Sequence, residues 1–179
     1  MVSDYVITEH NVRARAVGGL TPAPPVDDPV GVAWWMPDMH NARTVIRDGR
    51  VYNEGADIDM DNYRPFGIAY RALVPRRAEC TNLLVPAALS SSYVGYSAVR
   101  LEWTFMVLGQ SAAAAAGLAH DVDLDVQDVP YAALRPLLLA GGQVLEVAAE
   151  SPPDEGIVVD NADATGVTVT GNWSTSSYM

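Results

Sequence analysis

The sequence predicts a mixed α/β fold followed by the start of a separate all-β unit. Three observations carry that expectation. Residues 90–119 join a polar, Ser-rich loop to a long alanine-rich helix. Thr44–Arg47 and Arg50–Tyr52 flank Asp48-Gly49, a dipeptide that supplies the positive φ angles of a tight hairpin turn. After a Pro/Glu/Asp-rich linker at residues 149–156, the texture changes to short runs of Val, Ile and Thr.

Taken in order, Tyr5–Thr8 is a β-prone run, and His10–Arg15 after it is polar and basic. Gly18–Pro29 is rich in Gly, Pro and Asp and reads as loop. Val32–Met36 reads as a strand, broken by Asp38-Met39-His40-Asn41. Beyond the hairpin, Tyr63–Pro75 reads as extended and Asn82–Pro86 as a short buried strand. Along the next helix Leu101, Phe105, Leu108, Ala112, Ala115 and Ala119 mark one face. The opposite face, with Trp103, Met106, Val107, Gln110 and Ala114, is hardly more polar, so the helix is expected to be buried on nearly all sides. Asp121–Asp128 is an acidic connector that alternates in part like a strand. Asp128 is expected to cap a second helix with Pro130 in its first turn. That helix should run to about Ala140, kink at Pro136 and stop at Gly141-Gly142. Ile157–Asp160 and Val167–Trp173 read as strands of the second unit.

Composition narrows the function classes. The chain has 179 residues, 49% of them hydrophobic, enough for a core. Eleven basic against 22 acidic residues give a net charge of −11, which disfavours nucleic acid and anionic membrane surfaces as partners. Cys80 is the single cysteine, so neither an internal disulfide nor a cysteine zinc site is possible. No run is apolar and long enough to span a bilayer, and the first residues lack the pattern of an export signal.

The residues that carry chemistry cluster around the loop and helix. A helix N-terminus fed by small hydroxyl residues suits a ligand at the positive end of the dipole. Arg100 would bind an anionic group or form an ion pair with Glu102 or another acid that fixes the loop. Ser90, Ser91 and Ser92 would donate to a ligand edge or form a turn, and Ser97 would cap the helix. Tyr93 and Tyr96 would reach a substrate or pack. His40 with Asp38 would form an acid–base pair or serve the fold, and Tyr70 with Arg71 would line a site or pin two sheets. His10 and His120 lack metal-ligand spacing, no metal site is expected, and Asp121–Asp128 lacks the glycine and terminal glutamate of a calcium loop.

Several runs, in order, resemble the C-terminal signature of the FAD-dependent oxidoreductases: Asn82–Pro86, Ser90–Glu102 and Phe105–Ala112. Upstream, Tyr5–Asn11, Asp38–Asn41 and Tyr70–Pro75 are similar to further segments of that family. The resemblance covers residues 1–147. It implies the C-terminal portion of a two-domain FAD-binding fold: substrate-side sheet about 1–78, flavin-facing strand, loop and helix about 80–120, and C-terminal helix about 128–142. It implies FAD as cofactor, hydride transfer from a small organic substrate to the flavin, and a helix N-terminus aimed at the pyrimidine end of the ring. The cofactor-contacting residues would be Ser91, Ser92, Ser97, Arg100, Leu101 and Glu102, and the catalytic candidates Arg100, Tyr93 and His40.

The chain departs from the family pattern at Tyr93, where a histidine is frequent, which puts an acid–base role there in question. Trp103 and Ala113 replace a frequent proline and glycine. No G-x-G-x-x-G occurs anywhere, so the expectation is a fragment whose partner is a nucleotide-binding half of the same protein. Such a fragment should expose apolar surface and be inactive alone. Residues 157–179 resemble the opening of golvesin-type β domains, which implies a β-sandwich start and an exported parent protein. The competing reading is a non-catalytic surface or glycan-binding protein on a degenerate flavoprotein scaffold.

Overall fold

The computed structural model describes residues 1–13, 15–16, 20–21, 23–55, 57–58 and 64–146. The expected linker at 149–156 and the β unit at 157–179 lie outside them. The described chain is mixed α/β. Its strands pair two by two, all antiparallel: β1 (Arg15–Ala16) with β2 (Leu20–Thr21), β3 (Pro29–Ala33) with β8 (Phe66–Ala69), β4 (Asp38–Met39) with β7 (Asp57–Ile58), and β5 (Arg43–Arg47) with β6 (Arg50–Glu54). The helices are α1 (Glu9–Val12), α2 (Tyr93–Val99), α3 (Glu102–Asp121) and α4 (Tyr131–Ala140), with 3₁₀ turns at Tyr70–Leu73 and Val126–Asp128.

The core forms where α3 lies on β3. Leu108, Ala112, Ala115 and Ala119 of α3 are buried against a cluster that includes Val30, Ala33, Phe66, Ile68, Leu73, Leu134 and Leu138. Gly31 lets the helix approach: a Cβ there would lie 2.6 Å from Val107 Cγ1. The buried face also carries two hydroxyl residues, Thr104 and Ser111. Ser111 Oγ donates to Val30 O, and Gln143 Nε2 donates to Ser111 Oγ and Val107 O, both at 2.8 Å. This buried network ties β3, α3 and the chain after α4 together.

The hairpin forms as the Asp-Gly signal requires, with Asp48 at φ 51° and Gly49 at φ 69°. The end of α4 also forms as expected. Gly142 takes φ 79°, and the amides of Gly142 and Gln143 donate to Leu139 O and Leu138 O, a Schellman closure. Pro136 sits inside a helix that stays continuous from Tyr131 to Ala140. Pro136 and Ala132, the residue whose carbonyl it leaves unbonded, both lie on the exposed side.

Other expectations are corrected. Asn82–Pro86 is not a strand: Val85 N donates to Leu73 O, Leu83 is exposed, and Pro86 cannot extend a ladder. Tyr5–Thr8 makes one parallel bridge, Ile7 to Ser91, before turning into α1, which starts at Glu9 and runs into the segment read as a basic patch. The strand expected at Val32–Met36 is β3, three residues earlier, and Tyr63–Pro75 contains β8 followed by a 3₁₀ turn rather than one extended run. The loop expected before α3 is mostly helix, because Ser92 caps α2 by accepting from Gly95 N. Asp128 caps no helix; it ends a 3₁₀ turn and pairs with Arg77, leaving Pro130 at the N-cap of α4. The acidic connector turns at Asp123, φ 53°, rather than running extended. Finally, α3 is buried on one face only, with Trp103 55% and Met106 74% exposed.

Candidate functional site

The site is built from the junction of α2 and α3. Ile7 and Ser90–Ser92 bond through their backbones, Ile7 N to Ser90 O at 2.9 Å and Ser92 N to Ile7 O at 2.7 Å. This anchors the start of α2. Gly95 packs onto that anchor so closely that a Cβ would lie 2.4 Å from Ile7 O. The helix ends at Arg100, whose amide donates to Tyr96 O, and Leu101 is extended, φ −94° and ψ 145°. The chain therefore changes direction at Arg100-Leu101 and starts α3 at once.

At this bend Arg100 reaches β4. Its Nη2 donates to Asp38 Oδ2 at 3.0 Å and to Asp38 O at 3.3 Å. His40 Nε2 lies 3.7 Å from the same Asp38 oxygen, and the His40 side chain is 75% exposed. That distance is beyond a hydrogen bond, so the imidazole is an electrostatic neighbour of the carboxylate. Tyr93 Oη donates to His40 O, and Tyr96 Oη to Ala87 O. Asp38, Met39, His40, Tyr93, Tyr96, Ser97 and Arg100 line a cleft of about 230 Å³.

The catalytic candidates Arg100, Tyr93 and His40 thus share one cleft. Of the residues expected to contact a cofactor, Ser97 and Arg100 line it too. Ser97 Oγ donates to Val94 O within α2 and is buried, so it does not cap α3. Ser91 Oγ donates to Leu89 O, and Ser92 is occupied as the α2 cap; neither lines the cleft. Leu101 holds the N-cap of α3 and Glu102 is its exposed first residue. Arg100 pairs with Asp38, not with Glu102. Tyr70 and Arg71 stand apart: Arg71 clamps Asp28 through Nε at 3.0 Å and Nη2 at 2.9 Å, fastening the end of β8 to the start of β3. Burial pushes the Tyr70 phenol well above its ordinary range, and its hydroxyl donates to Val126 O at 2.8 Å.

Sequence reasoning missed two groups at the start of α3. No side chain caps this twenty-residue helix, and Leu101 offers none. In its first turn Thr104, 2% exposed, has a buried Oγ1 with no hydrogen-bond partner. Trp35 Nε1 is likewise buried without a partner, and its ring meets Trp103 edge-on with centroids 6.2 Å apart. The signal for Thr104 was its place among apolar residues on the buried helix face; a hydroxyl there needs a partner. Among the described residues no group of three His, Cys, Asp or Glu is placed to hold a metal ion, and no helix is long and apolar enough to cross a membrane.

The family model for FAD dependent oxidoreductases matches residues 1–138. No curated protein and no solved structure matches the chain.

Proposed function

Because this chain belongs to the FAD dependent oxidoreductase family, we propose that the start of α3 faces the flavin and the Arg100 cleft forms the substrate side. The observation that carries this reading is the start of α3, which no side chain caps, so that its first-turn amides are left for an acceptor. FAD when bound supplies the two-electron acceptor for oxidation of a small organic substrate. The residues present fit it. The helix dipole and the first-turn amides of Glu102, Trp103 and Thr104 would polarise an electron-rich ring edge, with Leu101 beside it. Ser91 and Ser97, whose hydroxyls donate to Leu89 O and Val94 O, would hold the loop on the α2 side, and Ser92, whose hydroxyl accepts from Gly95 N, would keep its own proton for a ligand.

Within the cleft Arg100 orients the substrate while Asp38 fixes the guanidinium. His40, held in place by the Tyr93 bond to its carbonyl, takes a proton from the substrate at an imidazole nitrogen. Tyr93 shapes the wall and does not itself move a proton. The hydride-transfer role and the nucleotide-binding half required to hold the rest of FAD belong to this same reading.

Titration of the purified chain with FAD, followed at the visible flavin bands, tests it. Wild-type protein should perturb the bands, and Glu102→Pro, which removes one amide proton at the first helical position, where proline is tolerated, should weaken binding about tenfold. A folded chain that leaves the flavin spectrum unchanged contradicts the assignment.

A further inference from the structure

We infer that the cleft between β4 and α2 takes a neutral, polyhydroxylated ring, a sugar-like substrate, rather than a carboxylate or phosphate. This deepens the reading of the cleft as the substrate side and rests on it. The argument starts from charge. Arg100 is the cation of the cleft, and its guanidinium is already matched by Asp38 through both the carboxylate and the carbonyl. The charges of Asp38 and Arg100 cancel, and the chain as a whole carries −11. An anion entering here would have to displace Asp38 and approach a negative protein.

The second element is the aromatic wall. Tyr93 and Tyr96 stand one helical turn apart on α2 and are 58% and 36% exposed. Both hydroxyls are tethered to backbone carbonyls, of His40 and Ala87, so the rings are held in fixed positions. Fixed aromatic faces bind the C–H face of a sugar ring at small entropic cost. The polar groups beside them suit hydroxyls: Asp38 has a second oxygen able to accept, and the exposed His40 imidazole can both accept and donate. A purely apolar ligand would leave these groups without partners. The cleft volume of about 230 Å³ is below the range of about 300–1,000 Å³ usual for drug-sized ligands, which suits a single ring.

Ligand-observed NMR and calorimetry on the full chain, with methyl β-D-glucopyranoside, D-glucuronate and benzyl alcohol as probes, decide the matter. The neutral glucoside should bind, with glucuronate and benzyl alcohol each about tenfold weaker. Tyr93→Ala and Tyr96→Ala should each weaken the glucoside about tenfold through loss of a ring platform, while Tyr93→Phe, which keeps the ring and loses only its tether, weakens it about threefold. Asp38→Asn should reverse the preference, since it frees Arg100 for the carboxylate of glucuronate. Tighter binding of glucuronate or benzyl alcohol to the wild type, indifference to Tyr93→Ala and Tyr96→Ala, or no binding of any probe by a cooperatively melting chain overturns the inference. Riboflavin titration of the same samples reports separately on the flavin: a chain that binds riboflavin but no glucoside loses only the sugar assignment, and one that binds the glucoside but no riboflavin loses only the flavin assignment.

Discussion

Thr104 shows how one unpaired side chain bears on stability. Its hydroxyl is buried on the α3 face that packs on β3, yet it bonds nothing. A buried hydroxyl left unpaired costs about 1–3 kcal/mol, so Thr104→Val should leave the flavin-free chain as stable or up to about 1 kcal/mol more stable. The same change should leave flavin binding unaltered, because the buried hydroxyl has no surface a ligand could reach. Chemical denaturation is the check, and a loss of stability on Thr104→Val would show that the hydroxyl serves the fold. Tyr70 gives a pH dependence. Burial raises its pKa above the ordinary value of about 10, and burial also raises those of Tyr5 and Tyr131. The folded state therefore holds these protons more tightly than the unfolded state. That stabilisation is complete below about pH 10 and is lost as pH rises above it, toward the folded-state pKa. Urea denaturation between pH 8 and 11 should show stability falling at the alkaline end, and Tyr70→Phe should flatten the fall while losing the bond to Val126 O. The sequence made Arg100, His40 and Tyr93 candidates because each is a reactive type in a loop-like setting, and the fold brings all three to one cleft. It did not reveal that Asp38 joins Arg100 to His40, because that contact spans 62 residues.

Among the elements, the hairpin and the end of α4 were legible because Asp48-Gly49 and Gly141-Gly142 act through local backbone angles. The core stripe Leu108, Ala112, Ala115 and Ala119 was legible from spacing alone. Elements whose identity depends on partners were not. Asn82–Pro86 has strand-like residues but no strand to pair with among the described residues, and α2 looked like loop because Ser92, Gly95 and Ser97 are weak helix formers held by tertiary contact. Gly95 is the test of that contact. A Cβ there would strike Ile7 O, a backbone atom that cannot swing aside. Gly95→Ala should destabilise by about 1–3 kcal/mol and loosen the α2 anchor, seen as faster amide exchange at Ile7 and Ser92. Ser111 tests the buried network between β3, α3 and the chain after α4. Ser111→Ala removes the hydroxyl partner of Val30 O and one of the two bonds of the Gln143 amide, which keeps Val107 O, and should cost about 1–3 kcal/mol in the same denaturation assay.

At the scale of the molecule, sequence order carried the family: separate motifs from Tyr5 to Ala112 fall within residues 1–138, which the family model matches. What they could not supply was packing, since an alanine helix apolar on both faces reads as wholly buried whether or not its second face is covered. Here that second face presents Trp103 and Met106. The central claim is that the start of α3 meets the isoalloxazine edge while no phosphate-cradling glycine motif occurs in the sequence. Comparison of riboflavin and FAD affinities for the 179-residue chain tests it most directly. Equal affinities within about threefold, both weakened by Glu102→Pro, are predicted, because only the shared ring is gripped. Absence of riboflavin binding by the folded chain, or FAD binding about a hundredfold tighter than riboflavin, would contradict it.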